Sequence, residues 1–253
     1  MANKSFISGT FPNCTGGPEW GMSLKAAGNM RFRWGEENTV RDSFLSSVAG
    51  QNRRIVPVEL IHSHTVYNIV TGSETEGKNG DGMISRNKTI MPVVTAADCM
   101  PIFLYEPETG VFGALHSGWK GTGIVQDAIL LAHKEYGART ENFRIVMGPH
   151  IHDCCYTVGK ERADWFTEHF TPKAISTTKE KDTEIFHLSL AQANLAVLEK
   201  LGIPNENIFI NGACTSCDEQ FGSFRRETSS LPAETPLEKR LTCFTVQAAW
   251  IKW

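Results

Sequence analysis

Short apolar runs alternate with polar breaks through the middle of the chain. Ile55 to Ile61, Val66 to Val70, Thr89 to Thr95, Pro101 to Tyr105 and Val111 to Leu115 are apolar or β-branched, and Gly, Pro and charged residues bound them. That pattern predicts strands. The period then lengthens: Gly123 to Tyr136 carries Ile124, Ala128, Leu131 and Ala132 at helical spacing and meets Gly137, the residue type expected just past a helix end. Phe143 to Met147 reads as a strand and Arg162 to Phe170 as a helix. Leu188 to Leu201 is a stronger helix, with Leu188, Ala191, Leu195 and Leu198 on one stripe before Gly202. Asn207 to Ile210 and Leu241 to Trp250 have the composition of closing strands, while Ser73 to Asp81 and Ser229 to Arg240 are loop-like. No repeat or low-complexity linker interrupts the alternation, so residues 1–253 are expected to form one domain.

Composition narrows the partners. A chain of 253 residues can bury a sizeable core without staples. Its 25 Lys and Arg against 28 Asp and Glu give a net charge of -3, with the basic residues scattered. Neither a nucleic-acid stripe nor a membrane-binding face is visible, which leaves a small molecule as the expected partner. Met1-Ala-Asn-Lys-Ser lacks the apolar core of a leader, and no run approaches the roughly 18 apolar residues of a transmembrane helix. A cytoplasmic location with reduced thiols is the expectation for the seven cysteines.

The candidate chemistry gathers around Cys99 and His116. Each lies at the border of a predicted strand, and the two strands are consecutive, so one hairpin can bring thiol and imidazole together as part of a metal site or as a nucleophile and its base. The residue pattern leaves both open. In His62-Ser63-His64 an extended chain would point both rings to one side. Ser117-Gly-Trp-Lys120-Gly permits close backbone approach to a ligand, with Lys120 and a following helix N-terminus available for an anion. His150, His152, Cys154 and Cys155 follow a predicted strand and offer further donors. Cys214-Thr-Ser-Cys217 has CxxC spacing, yet no second pair follows it, so no structural zinc is expected there. Arg225 and Arg226 present adjacent guanidinium groups suited to phosphate or carboxylate.

Taken in order, Ile61-His-Ser-His-Thr-Val66, Gly80-Asp-Gly82, Thr95-Ala-Ala-Asp-Cys-Met-Pro101, His116-Ser-Gly-Trp-Lys-Gly121, Met147-Gly-Pro149 with Cys155-Tyr156 and Val158-Gly159, and Ser223-Phe-Arg-Arg226 resemble the laccase-domain, or polyphenol oxidase-like, family. Its members are mostly described as purine nucleoside phosphorylases with adenosine deaminase side activity. The resemblance implies an α/β (α+β) domain of mixed sheets in layers flanked by helices. It also implies a zinc held by two His and one Cys, which map to His62, Cys99 and His116. Purine nucleosides, methylthioadenosine among them, and phosphate would be the substrates. Lys120, Arg225 and Arg226 become candidates for the phosphate, and Asp98 for a proton carrier or an orienter of a ligand histidine. The chain departs from the family pattern at Leu60-Ile61, at Tyr156-Thr-Val-Gly159 and over the longer Glu227 to Arg240 stretch.

Rival readings keep the same residues. A copper-dependent polyphenol oxidase would place copper on this set, though eight histidines spread over unrelated segments are few for the multinuclear clusters of true laccases. A metal-free Cys/His hydrolase would use Cys99 as nucleophile and His116 as base. A role in editing cell-wall precursors, or a scaffold role without turnover, completes the range.

Overall fold

A computed structural model describes residues 5–232 and 234–253. Met1 to Lys4, inspected above for a leader, and Ala233 lie outside the described residues. In chain order the elements are β1 (Phe6–Gly9), β2 (Glu19–Ser23), α1 (Thr39–Ala49), β3 (Arg54–Pro57), β4 (Val66–Ile69), β5 (Gly82–Ser85), β6 (Ile90–Ala96), β7 (Met100–Glu106), β8 (Val111–Ser117), α2 (Ile124–Tyr136) and β9 (Arg144–Met147). There follow β10 (Thr157–Val158), α3 (Lys160–His169), β11 (Ile175–Glu180), β12 (Thr183–Leu188), α4 (Leu190–Lys200), β13 (Ile208–Ile210), α5 (Phe224–Glu227), α6 (Leu237–Arg240) and β14 (Gln247–Lys252).

Two mixed sheets stack face to face, one ordered β1-β2-β14-β6-β3 and the other β13-β9-β7-β8-β5-β4. Strand alternation sorts the side chains into three apolar layers. Phe103, Phe112, Ala114 and Val146 of the second sheet meet Met22, Val94 and Ala249 of the first. On the opposite parity, Ile102, Leu104, Leu115 and Ile145 pack under Val125, Ile129, Phe166 and Leu198 of the helices. On the far side, Met91, Val93 and Trp250 are covered by Leu45 and Val48 of α1. Every residue of β7 and β8 is buried because both faces are covered, which is why these strands read as continuous apolar runs. The layered, mixed α/β expectation holds.

Several predicted elements are trimmed or were missed. The Ile55 to Ile61 strand ends at Pro57, after which the chain leaves the first sheet, makes an isolated bridge at Glu59, and crosses to β4 in the second. Only the end of the Leu241 to Trp250 run is β14, since its ladder starts with Gln247 opposite Ala96. The rest of the run is not strand, and Leu241, Phe244 and Val246 line a cavity; α6 falls just before it, in the stretch to Arg240 expected to be loop. The β11–β12 hairpin turns on Lys181 and Asp182, both at positive φ (44° and 68°), without the Gly or Asn that normally announces such a turn. Among the described residues no helix is long and apolar enough to cross a membrane.

Phe103 is fully buried between the sheets and stacks on Trp20 at 5.6 Å between ring centroids. Truncating it to Ala should lower the unfolding free energy by about 3–5 kcal/mol, measured by denaturant titration with an unchanged slope.

Candidate metal centre and cavity

The β7–β8 hairpin sets the site. Its register places Pro101 opposite His116, so Cys99, one residue before β7, reaches the imidazole at the end of β8. His62 arrives from the crossover between the sheets, and its ring lies 4.8 Å from that of His116, edge to face. One donor atom from each of His62, Cys99 and His116 lies within 4.8 Å of the others. Two turns hold this geometry in left-handed backbone: His62 has φ 59° and its neighbour in the site, Asp98, has φ 81°. Such conformations are uncommon for non-glycine residues and persist only where surrounding contacts impose them. The expected extended His62-Ser-His64 is therefore not formed, and His64 instead bonds Asp127 of α2 through Nδ1 at 2.8 Å. Gly118 seals the third side. A Cβ there would lie 2.8 Å from Cys99 Sγ and 3.2 Å from His62 Cδ2.

Asp81 is the group that orients the centre. Its fully buried carboxylate lies 2.9 Å from His116 Nδ1, accepts the His62 backbone N–H at 2.9 Å, and accepts the N–H and hydroxyl of Ser63 at 2.6 and 2.7 Å. With Nδ1 held by a carboxylate, His116 turns Nε2 toward Cys99, the arrangement in which ligating histidines are usually found. Burial pushes the Asp81 carboxyl up, but the His116 and Ser63 bonds outweigh it and hold it below the usual carboxylate range. Sequence reasoning passed over Asp81 except as part of Gly80-Asp-Gly82. The signal was an acidic residue between two glycines immediately before the short apolar Met83-Ile84, which the structure shows as β5, a strand not predicted from the sequence.

The thiol and imidazole polarise one another. Burial raises the Cys99 thiol, yet the His116 charge and the bonds from both histidines bring it down to about 6. Burial likewise opposes the charge on His116, but the thiolate and Asp81 raise it to about 9. Thiolate and imidazolium therefore coexist between those values. Two imidazole nitrogens and one thiolate also match a catalytic zinc set of three protein ligands, and the carboxylate behind His116 fits that use.

A cavity of about 670 Å³ opens over this cluster, lined by Asp98, Trp119, Lys120, Tyr156, Arg162 and Arg225, and also by Arg31, Phe32, Arg33 and Phe224. Of the cationic candidates, Lys120 lies over the Trp119 ring at 5.3 Å and reaches the cavity. Arg225 reaches it too, anchored by donating to Thr157 Oγ1 and O at 2.7 and 2.9 Å. Arg226 does not line it. Its guanidinium is spent on the carbonyls of Thr215, Ser216, Asp218 and Phe221, which corrects its assignment to phosphate. Arg162, missed in the sequence, sits 4.1 Å from the Trp119 ring centroid and lines the cavity. Asp98 bonds no ligand histidine. Its carboxylate accepts from Thr215 Oγ1 (2.7 Å), Ser223 Oγ (3.0 Å) and Arg225 N–H (2.6 Å), while burial still raises its pKa. Asp81 holds the orienting role expected of it. The start of α2 is also closed to an anion, since Asn194 Oδ1 accepts the Gly123 N–H there at 3.1 Å.

The CxxC pair has partners after all. Cys154 and Cys155 sit with Cys214 and Cys217, one sulfur from each lying within 4.8 Å of the rest. The missing pair lies upstream in sequence and is contiguous, so CxxC spacing could not reveal it.

Comparison with known proteins follows the same lines. Residues 30–231 match the profile described as multi-copper polyphenol oxidoreductase laccase. The purine nucleoside phosphorylase YlmD of Geobacillus stearothermophilus is 31% identical over 150 residues, 58% of this chain and 55% of that protein. Adenosine deaminase RL5, from an unknown prokaryotic organism, is 34% identical over 149 residues, 58% of this chain and 56% of that protein. The matched region thus spans about half the length of these relatives. In fold, the crystal structure of YlmD from G. stearothermophilus superposes with a TM-score of 0.76 at 24% identity, covering 96% of this chain and 98% of that one. The Bacillus licheniformis hypothetical protein YfiH gives 0.79 at 23% identity, covering 93% and 92%.

Two measurements check the centre. In chelator-stripped protein, alkylation of Cys99 followed by peptide mass spectrometry should accelerate through about pH 6, as the thiolate forms. A midpoint at the ordinary thiol value would show that His116 does not carry the charge. Gly118→Ala should weaken metal retention on the order of 10- to 100-fold with an unchanged circular dichroism spectrum, because the new methyl group displaces two ligands at once.

Proposed function

The chain belongs to the multi-copper polyphenol oxidoreductase laccase family, and from that footing we propose that it is a zinc-dependent purine nucleoside phosphorylase that also deaminates adenosine. The observation that carries this reading is a two-imidazole, one-thiolate cluster at the floor of a cavity rimmed by cations and aromatic faces. About 670 Å³ lies within the range of small-molecule sites and suits a nucleoside with phosphate. The names of the relatives supply the two reactions. A zinc on His62, Cys99 and His116 supplies electrophilic activation at the reacting centre.

The chain's own residues do the rest. In phosphorolysis a phosphate oxygen bonds to ribose C1′ as the bond from C1′ to purine N9 breaks; its electron pair leaves with the purine, which takes up a proton, giving base and ribose 1-phosphate. Lys120, Arg162 and Arg225 hold the phosphate, and Arg225 is fixed for that task by Thr157. Trp119, Tyr156 and Phe224 offer faces on which the base stacks. In deamination the oxygen of water bonds to adenosine C6 and the bond from C6 to the amino nitrogen breaks, so that adenosine and water give inosine and ammonia. Asp81 keeps the Nδ1 proton on His116 throughout. Asp98 acts as a positioning residue, gripping the Arg225 backbone from the turn that carries Cys99.

A metal-free Cys/His hydrolase has one observation in its favour, the thiolate paired with imidazolium. The third donor, His62, favours metal. Among the described residues no donor cluster of three or more joins more than two imidazoles, which favours a single zinc over a multinuclear copper centre.

Adenosine with phosphate should give adenine and ribose 1-phosphate, and adenosine without phosphate should give inosine, each identified by chromatography. Cys99→Ala should lose the zinc of the His62, Cys99 and His116 centre and both activities, whereas Arg162→Ala should raise the KM for phosphate at least tenfold and leave that zinc bound. A Cys99→Ala enzyme with full activity and no metal at the His62, Cys99 and His116 centre overturns the reading, and copper found in protein purified anaerobically without added copper overturns the choice of metal.

A further inference from the structure

The second thiol cluster lies outside the purine chemistry, and the fold explains why it forms. β9 and β13 are parallel neighbours, with Ile145 opposite Ile208 and Met147 opposite Ile210. Parallel neighbours release their following loops at the same end of the sheet. The two loops stay in register beyond the strands: Asn211 N–H donates to Met147 O at 2.9 Å, His150 and Cys214 form an isolated bridge, and Thr215 N–H donates to His150 O at 3.0 Å. Cys154 and Cys155 are carried by the first loop, Cys214 and Cys217 by the second.

The sulfurs are spaced as a coordination shell. Sγ of Cys217 lies 3.3 Å from Cys155 and 3.6 Å from Cys154, and Cys154 lies 3.9 Å from Cys155. A tetrahedral zinc with bonds of about 2.3 Å places its sulfurs about 3.8 Å apart, whereas a disulfide needs about 2.05 Å. All seven cysteines are free thiols. Cys214 is buried and its sulfur accepts the His152 N–H at 3.3 Å, the backbone support that a thiolate ligand receives when charged. Cys154 and Cys217 are exposed, which leaves a path for the ion from solvent.

We propose that Cys154, Cys155, Cys214 and Cys217 form a structural tetrathiolate site for a zinc-class divalent metal, separate from the His62, Cys99 and His116 centre. Its work is to clasp two cavity walls. The first loop leads into Tyr156 and Thr157, and Thr157 anchors Arg225. The second carries Thr215, which bonds Asp98, and leads to Ser223 and α5. Arg226 already ties that second loop together through its carbonyls, and the metal would tie it to the first.

The test does not depend on any purine activity. Full-length Cys99→Ala protein, stripped and reduced, lacks the sulfur of the other centre. Titrated with cobalt(II) it should take up one equivalent, give the intense visible bands and thiolate charge transfer of a four-sulfur tetrahedral site, and lose them to one equivalent of zinc. Adding Cys154→Ser and Cys217→Ser should abolish those bands. In wild-type protein, which guards against misfolding of the variants, differential alkylation should show these four thiols shielded by zinc and exposed by chelator. The proposal falls if the bands are absent or survive the double substitution, if the thiols alkylate equally with and without zinc, or if protein purified under reducing conditions carries a disulfide within the cluster.

Discussion

One buried carboxylate underlies the site. Asp81 has no solvent exposure, and its two oxygens bind the His116 ring, the His62 backbone and both donors of Ser63. A charge in such a place is tolerated only because every lone pair has a donor. The same bonds fix two candidate ligands that come from different elements, the crossover from β3 to β4 and the end of β8. The His62 turn folds around Asp81, and the His116 ring is aimed by it. Without that anchor, the crossover from β3 to β4 would have no reason to hold His62 in left-handed backbone beside the hairpin.

The cavity wall follows a second rule, that buried polar groups must be matched. Asp98 takes three donors from two distant segments, so the turn bearing Cys99 is stitched to the start of α5. Arg226 satisfies carbonyls that an irregular loop would otherwise leave bare. These two residues resemble catalytic groups in sequence because their charges are conspicuous; in the fold their charges are largely consumed by neighbours. Lys120, Arg162 and Arg225 keep a face toward the cavity.

Much of this was legible beforehand, for physical reasons that differ by element. The β7–β8 hairpin announced itself because both its strands are buried on both faces, and the nearness of Cys99 and His116 followed from consecutive strands. α2 showed its 3.6-residue stripe and a terminal glycine, while for α4 the helix was legible but its face was not: Leu188 ends β12, and Leu190, Ala193, Val197 and Leu198 are the apolar residues that it buries. What stayed hidden depended on contacts between distant segments. Asp81 looks like a loop acid until the fold buries it, α1 exposes most of its surface and carries a weak stripe, and Cys154 meets Cys217 only because β9 and β13 run parallel. Spacing rules for metal sites assume that both ligand pairs come from turns of similar shape, which an adjacent Cys-Cys pair is not.

The two left-handed residues at the centre carry a further consequence. His62 occupies backbone that glycine would adopt at less cost, whereas the strain at Asp98 is offset by the three donors its buried carboxylate accepts, so only at position 62 do backbone ease and the proposed chemistry pull apart. A search that rewarded heat resistance alone would drift toward glycine at 62, yielding a hardier protein whose centre has lost one of its three donors. Thermal robustness and the proposed chemistry are opposed here at one identifiable position, and any stabilised descendant of this chain would have to gain its margin elsewhere, in the sheets or under α1.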